Sequence, residues 1–495
     1  MKRTKIVCTI GPASETKSKI ELMVKSGLNV ARLNFSHGTY KHHTLLINNL
    51  RKVAAKTGQP VAILQDLQGP RIRTGNIAAE GIKVEAGEFI YLVPENFRIS
   101  LKDVSAFIPI QYPGLYRDLK PGNPVLIDDA KIELEVVAIK NKAIRCKVKI
   151  GDIIYAHKGM NFPKSEIKAK PVTQKDMEDL RFGLKQGVDF IALSFVKDES
   201  DIIELKKNIH RLESRLGRKD KDFKKPNRGG SVPITQTKVI AKIERAEAVA
   251  HFEEILKVAD GIMVARGDLG LEIPLEDLPL IQKKIVRRCV QEAKPVIVAT
   301  QMLDSMIRYP VPTRAEVSDV ANAILDGTDA IMLSGETATG KYPLKAVQVM
   351  TRIANEVEKT EIEEHQQIEN SLKKIGGITE TVSFAVEKIA AETGAKLIVC
   401  ATTSGFTARS IAKYRPNITV VALAASEKTK NQLCLSWGVN SYYLPFVSSF
   451  NDLMAKIKNL LISKRLVSKG DIVVIAAGHP FGFLGQTNLV KVETI

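Results

Sequence analysis

Eight runs of β-branched and small apolar residues lie between residues 5 and 333, separated for the most part by stretches with apolar residues at helical spacing. Few folds accommodate that pattern. The strand-like runs are Lys5–Ile10, Asn29–Leu33, Val61–Asp66, Phe190–Ser194, Lys238–Ile243, Gly261–Val264, Val296–Ala299 and Ala330–Leu333. Helical periods at Lys17–Val24, Leu45–Ala55, Lys175–Lys185, Ala246–Val258, Leu278–Gln291 and Arg314–Leu325 fall between or after them. Strands alternating with helices imply parallel pairing, because the helix carries the chain back to the starting edge. Eight such units predict a closed (β/α)8 TIM barrel.

The third unit is interrupted. After DLQGPRIRTG at 66–75 the expected helix is replaced, over 82–155, by short alternating runs broken by Gly and Pro. That pattern predicts a small inserted β-barrel domain, standing over the carboxyl face of the barrel as a lid. Beyond residue 345 a new series of strands and helices begins, predicting an open parallel sheet with helices on both faces. The expected division is barrel over 1–75 and 166–345, lid over 76–165, and a C-terminal α/β domain over 346–495, with a polar crossing at Glu363–Glu369.

Polar residues gather where these strands end. Arg32, Asn34, Ser36 and His37 follow the second; Asp66, Arg71 and Arg73 the third; Lys242 and Glu244 the fifth; Gly267 and Asp268 the sixth; Thr300 and Gln301 the seventh, while the first strand is read as contributing none. In a parallel barrel the carboxyl ends of the strands hold the site. Glu244 and Asp268 form a carboxylate pair suited to a hard divalent cation such as magnesium, with Lys242 as a point charge for a phosphate or developing enolate. Taken alone, Lys-x-Glu is a common string and an acid after a strand often caps the next helix. A rim that mixes several cations, acids, hydroxyls and amides is harder to explain structurally; it describes a pocket for a phosphorylated carboxylate bound to a metal.

Composition sets the remaining bounds. A chain of 495 residues with 44% hydrophobic and 26% charged content reads as a soluble protein of several domains. No apolar run nears the roughly 20 residues of a membrane span, and the start, MKRTKIVCTIGP, lacks the pattern of a secretory signal. The five dispersed cysteines lack metal-ligand spacing and point to a reducing cytoplasm. The net charge of +18 is partly local, since 206–228 holds ten Lys and Arg against three acids. Aromatic interleaving there is limited to Phe223, so a solvated helix end running into a loop is favoured over a nucleic-acid surface. The rest of the excess fits anionic substrates.

The motifs TKIVCTIGP, ARLNFSHG, DLQGPRIRTG, HKGMNFP, AKIERAE, MVARGDLG, VIVATQMLDSM, PTRAEVSDVANAILDGTDAIMLSGETATGKYP and TTSGFTARSIAKYRP, in this order and spacing, resemble the pyruvate kinase family across nearly the whole chain. The resemblance implies the same three-domain fold, a cytoplasmic homotetramer, and phosphoryl transfer from phosphoenolpyruvate to ADP, giving pyruvate and ATP. It implies that Glu244 and Asp268 hold magnesium or manganese, and that Arg32 and Lys242 neutralise the transferring group. Lys242 also meets the enolate oxygen. Thr300 and the backbone of Gly267 seat the substrate carboxylate, and Thr300 with a water is a candidate proton source. Asn34, His37, Arg73 and Lys158 match nucleotide positions. KIERAE departs from the family's KIEN-x-EG but keeps Lys242 and Glu244, and the basic stretch after the fourth strand is longer than usual. A metal-dependent aldolase or lyase on a similar barrel is the nearest enzymatic rival, though it has no need of the lid or Lys158.

Two regulatory expectations follow from the resemblance. Many members hold potassium with residues matching Asn34, Ser36, Asp66 and Leu67 and carry Glu where Arg71 stands. Here a tethered guanidinium is expected to supply that positive charge near the phosphate and Asp66, so potassium is not required. Thr402, Thr403, Ser404, Gly405 and Thr407, between a strand and a helix start, are expected to bind a phosphorylated allosteric effector.

Overall fold

The computed structural model describes residues 2–95, 106–217, 236–359, 377–445, 449–479 and 487–495. Eight strands close a barrel in sequence order: β1 (Lys5–Thr9), β2 (Val30–Asn34), β3 (Ala62–Asp66), β4 (Phe190–Leu193), β5 (Lys238–Ile243), β6 (Gly261–Ala265), β7 (Val296–Ala299) and β8 (Ala330–Leu333). Every neighbouring pair is parallel, and β1 closes on β8 through Lys5–Ala330 to Cys8–Leu333.

Side chains alternate along each strand. Val7, Val30, Leu64, Ala192, Ile240, Met263, Ile297 and Met332 fill the barrel interior, while Ile6, Ala31, Ile63, Ile191, Val239, Ile262, Val298 and Ile331 face the surrounding helices. This two-residue period aims the site. Continued toward the carboxyl ends, the interior positions become Thr9, Arg32, Asp66, Ser194, Lys242 and Glu244. The floor of the barrel is closed by Cys434 and Leu435 of the C-terminal domain, which belong to the same buried cluster.

The helices of the barrel match the sequence periods closely, with two differences. The second begins at Tyr40, because Thr39 accepts a hydrogen bond from His42 N and starts the helix a turn and more before Leu45. The stretch 246–258 breaks at His251 into Ala246–Ala250 and Phe252–Val258. The basic stretch enters the structure as the end of the helix Glu199–Arg215; its part from 218 to 228, like Glu363–Glu369, lies outside the described residues.

The lid is a six-stranded sheet in the order Met160–Asn161, Pro124–Ile127, Ile132–Lys140, Ala143–Ile150, Phe89–Pro94, Ala106–Ile110. Its two outer strands are drawn together by one segment, since Arg73 bridges Gly159 and Thr74 bridges Ile110. Alternate residues such as Ile90, Leu92, Ile108, Leu134, Ile144 and Val148 form a core separate from that of the barrel. The C-terminal domain is a five-stranded sheet, ordered Val439–Tyr443, Thr419–Ala424, Leu397–Thr402, Ile472–Ala477, Leu489–Thr494, with a buried cluster on each face. The sheet is not wholly parallel as expected: Leu489–Thr494 runs antiparallel along the edge, and its Lys491 and Glu493 pair at 2.8 Å. Charged side chains on an edge strand resist pairing with other chains.

Candidate active site

At the carboxyl rim the inward positions meet. Arg32 Nε lies 2.6 Å from Asp66 Oδ2, and Arg32 Nη1 donates to Thr9 Oγ1 at 2.8 Å. Lys242 Nζ donates to Ser194 Oγ at 2.7 Å and stands 2.7 Å from Glu244 Oε1 and 3.4 Å from Asp66 Oδ1. Ser194 Oγ in turn donates to Leu67 O at 2.8 Å. Glu244 Oε2 accepts from Phe195 N at 2.6 Å. Each cation thus shares its carboxylate with another, so a bound anion finds two basic groups already aimed at one place.

Burial tunes these charges. It would by itself push the Asp66 carboxyl up, but Lys242 and Arg32 outweigh it and hold Asp66 below the usual carboxylate range. Burial likewise opposes the Lys242 charge, yet Asp66 and Glu244 hold the ammonium above the ordinary lysine value. Lys242 is therefore a permanent cation at neutral pH. Glu244 is held above the usual range by burial, with Lys242 opposing and the nearby Asp268 carboxylate adding.

That last pairing bears on the metal. Among the described residues no group of three His, Cys, Asp or Glu stands at metal-ligand spacing. Magnesium needs no such group, since it is held by one or two carboxylates and fills its shell from water and substrate. Glu244 and Asp268, two like charges felt across one gap, fit that donor set.

Thr300 sits in an unusual backbone. It and Gln301 both adopt left-handed φ, 66° and 53°, a conformation costly for a β-branched residue. The turn places Thr300 Oγ1 to accept from Gly267 N at 2.7 Å and donate to Ala299 O at 2.6 Å. A clamp holds it: Arg266 Nη2 donates to Thr300 O at 3.0 Å and Gln301 O at 3.1 Å, while Nη1 pairs with Asp319 at 2.7 Å. Phe195, with φ 57°, is likewise twisted so that its N–H meets Glu244.

The lid contributes from above. Lys158 Nζ pairs with Asp128 Oδ1 at 3.0 Å, in a turn whose residues Asp128, Asp129 and Ala130 all have positive φ. Arg73 Nη1 donates to His157 O at 2.9 Å, and burial followed by the nearby Arg71 lowers its pKa. His37 is exposed at the rim beyond β2, and Asn34 Oδ1 accepts from Ser36 N at 3.1 Å.

Arg71 differs from the expectation. Its guanidinium lies 3.8 Å from Asp268 and 3.9 Å from Asp129 of the lid, and Asp66 is bracketed instead by Arg32 and Lys242. The reason is the chain path: Asp66 ends β3 inside the barrel, whereas Arg71 lies past the turn at Gly69, where the chain rises into the lid. The cation still reaches the rim, beside Asp268.

Several participants are absent from the sequence reading. Thr9 shows that β1 does supply a polar group, and Ser194, Phe195 and Arg266 were not singled out. Thr9 and Ser194 were discoverable, because each continues the two-residue period of its strand. Nothing in the sequence signals positive φ at Phe195 or Thr300.

In the C-terminal domain, Gly405 has φ 79° and its N–H donates to Thr402 Oγ1 at 3.0 Å. Thr407 Oγ1 is buried against Thr487 Oγ1 at 3.0 Å. Those two hydroxyls hold the loop, while Thr403 and Ser404 remain partly exposed.

Fold and site define a class, a barrel enzyme whose carboxyl rim presents cations and carboxylates under a lid to an anionic substrate. Comparisons with known proteins narrow it. The profile of the pyruvate kinase barrel domain matches residues 1–347, and that of the pyruvate kinase alpha/beta domain matches 380–493. A pyruvate kinase of Geobacillus stearothermophilus is 42% identical over 100% of this chain and 80% of its own. One of Clostridium acetobutylicum is 40% identical over 100% of both chains. The crystal structure of a pyruvate kinase from Cryptosporidium parvum superposes with a TM-score of 0.88 at 35% identity, covering 100% of this chain and 96% of that one. The chain belongs to the pyruvate kinase family.

Proposed function

We propose that this chain transfers the phosphoryl group of phosphoenolpyruvate to ADP at the rim built around Lys242, giving pyruvate and ATP. The observation that carries the reading is the position of Lys242 Nζ, buried among Ser194, Asp66 and Glu244 with Arg32 on the same Asp66. Phosphoryl transfer asks mainly for positioning and charge neutralisation. Arg32 and Lys242 draw in the phosphate oxygens, and Lys242 then faces the enolate oxygen left when the phosphoryl group departs. Glu244 and Asp268 would hold a magnesium or manganese ion, which when bound supplies a Lewis-acid charge to the phosphate and carboxylate oxygens. Thr300 and the Gly267 backbone orient the carboxylate, and Thr300, whose hydroxyl donates to Ala299 O, is a candidate to relay a proton to the enolate through water.

On the lid side, Lys158 and Arg73, with Asn34 and His37 from the barrel, take the nucleotide phosphates. Arg71, between Asp268 and Asp129, makes a bound potassium ion at Asn34, Ser36, Asp66 and Leu67 unnecessary. The loop of Thr402, Thr403, Ser404, Gly405 and Thr407 receives a phosphorylated effector, with Thr403 and Ser404 facing it; Ser404→Ala should blunt activation by phosphorylated metabolites, and unchanged activation would count against the site. The five cysteines are buried and unpaired, in keeping with a reducing cytoplasm, and no described helix is long and apolar enough to cross a membrane. Exposed Leu275, Leu280, Tyr309 and Val311 on the barrel are compatible with subunit contacts of a homotetramer.

A coupled assay of pyruvate formation from phosphoenolpyruvate and ADP, with magnesium and then manganese, tests the assignment. No turnover with either ion would sink it.

A further inference from the structure

Away from the rim, below the amino-terminal ends of β4 to β7, a cavity of about 270 Å³ lies between the barrel and the C-terminal domain. Five basic side chains line it, Lys206, Lys238, Lys257, Lys294 and Arg409, against two carboxylates, Asp260 and Glu292. Neither carboxylate is spare. Asp260 Oδ2 is 2.9 Å from Lys206 Nζ and accepts from Val239 N at 2.8 Å, and its Oδ1 is 3.8 Å from Lys238 Nζ. Glu292, exposed at the mouth, pairs with Arg288 at 3.3 Å. Lys294 Nζ donates only to the carbonyls of Leu256 and Lys257, and Arg409 Nη1 donates to Ser404 O at 3.2 Å. Carbonyl partners orient these cations without cancelling their charge.

The cations also feel one another. Lys238 is lowered by burial, with Asp260 opposing and Lys206 and Arg409 adding to the shift, and Lys294 is lowered to about 8 by burial, with Asp260 opposing and Lys206 adding. Five basic groups around one cavity against two committed carboxylates leave an excess of positive charge that a single multivalent anion would relieve. A phosphate group, with several acceptor oxygens, can take donors from all of them at once. Phe406, Val258 and Pro295 supply an apolar wall beside the charges, and the volume exceeds that of a bare phosphate while falling short of drug-sized pockets, which start at roughly 300 Å³.

We infer that this interdomain cavity is a binding site for a small phosphate ester, held by Lys206, Lys238, Lys294 and Arg409. It is separate from both the rim and the outer face of the Thr403–Ser404 loop. Because donors come from two domains, the bound ester fastens the C-terminal domain to the base of the barrel.

Calorimetric titration of the full chain with inorganic phosphate and with glycerol 3-phosphate tests it, with succinate as a dicarboxylate control. Glycerol 3-phosphate should bind more tightly than phosphate, and both more tightly than succinate. Measured in a Ser404→Ala background, so that the effector loop does not contribute to the heat, Lys294→Gln and Lys238→Gln should each weaken binding at least about tenfold, as loss of one partner from a buried charge pair does. Phosphate probes that fail to bind, or bind equally well to both cavity variants, would overturn the proposal. Should a variant not fold, crystals of the wild type soaked in tungstate decide the matter: anomalous scattering between Lys294 and Arg409 supports the site, and scattering confined to the rim or the Ser404 loop refutes it.

Discussion

Replacing Arg266 by Met should separate activity from stability, because the residue clamps a strained turn without itself facing the substrate. Thr300 and Gln301 hold left-handed backbones at φ 66° and 53°, a conformation that costs about 1–3 kcal/mol per residue. Opposing that strain are the two bonds from Arg266 Nη2 to their carbonyls, at 3.0 and 3.1 Å. Charge-assisted bonds contribute about 1.5–3 kcal/mol each. Clamp and strain are therefore of similar size, about 3–6 and 2–6 kcal/mol. Without the guanidinium the turn relaxes, returning much of its strain and turning both carbonyls to water. Unfolding free energy measured in urea should fall by less than ~3 kcal/mol, smaller than the value of the bonds removed. Thr300 Oγ1, however, loses its register with Gly267 N, now 2.7 Å away. In the coupled pyruvate assay kcat should fall at least ~tenfold, since about 1.4 kcal/mol of misplacement suffices for that. Wild-type kcat together with a stability loss near 6 kcal/mol would show that Arg266 is structural only, and would refute the reasoning.

Lys242→Met should lower kcat at least ~hundredfold in a chain that still folds but melts lower, because a fixed charge at the reacting group is commonly worth that much and Glu244 and Asp66 lose a buried partner; a variant within tenfold of wild type removes the residue from its assigned role. Wild-type turnover should be little changed when sodium and potassium give way to a bulky organic cation, and Arg71→Glu should create a potassium requirement. A strong requirement in the wild type contradicts the part given to Arg71. Asp260 resists protonation down to about 2, from an ordinary 3.8: burial raises it, but Lys238 and Lys206 outweigh burial. A depressed carboxylate stabilises the fold above its unfolded pKa and loses that contribution as pH falls through the folded value, so Asp260→Asn should cost about 2 kcal/mol at pH 7 and nothing below pH 2. Urea midpoints that differ equally at both ends of this range would argue against it.

Much of the site was legible because a barrel strand has a simple parity. Once Ile240 is inside, Lys242 and Glu244 follow it inside, and the same count from Val30 reaches Arg32 and from Leu64 reaches Asp66. The bounds of β5, β7 and β8 coincide with their apolar runs, since buried parallel strands are apolar on both faces. Arg71 went astray for the opposite reason: past Gly69 no periodicity governs direction, and proximity in sequence to Asp66 was no guide to contact. Ser194 was overlooked because a serine closing an apolar run reads as a cap, and the Arg266 clamp because its partners are carbonyls, which carry no sequence signature. The strand Val439–Tyr443 hides in VNSYY, half polar and too short to stand out.

Cys434 and Leu435 occupy the same buried cluster as Val7, Ile240 and Met332. The C-terminal domain is thereby a stopper in the bottom of the barrel, and modularity suffers for it. A barrel produced alone would leave the lower ends of its interior columns open to water, so truncation near residue 358 should yield an aggregating product instead of a smaller enzyme. Nor can the two parts drift independently. The columns that rest on Cys434 and Leu435 at one end carry Thr9, Arg32, Asp66, Ser194 and Lys242 at the other, so the stopper and the polar rim are the two ends of one close-packed interior.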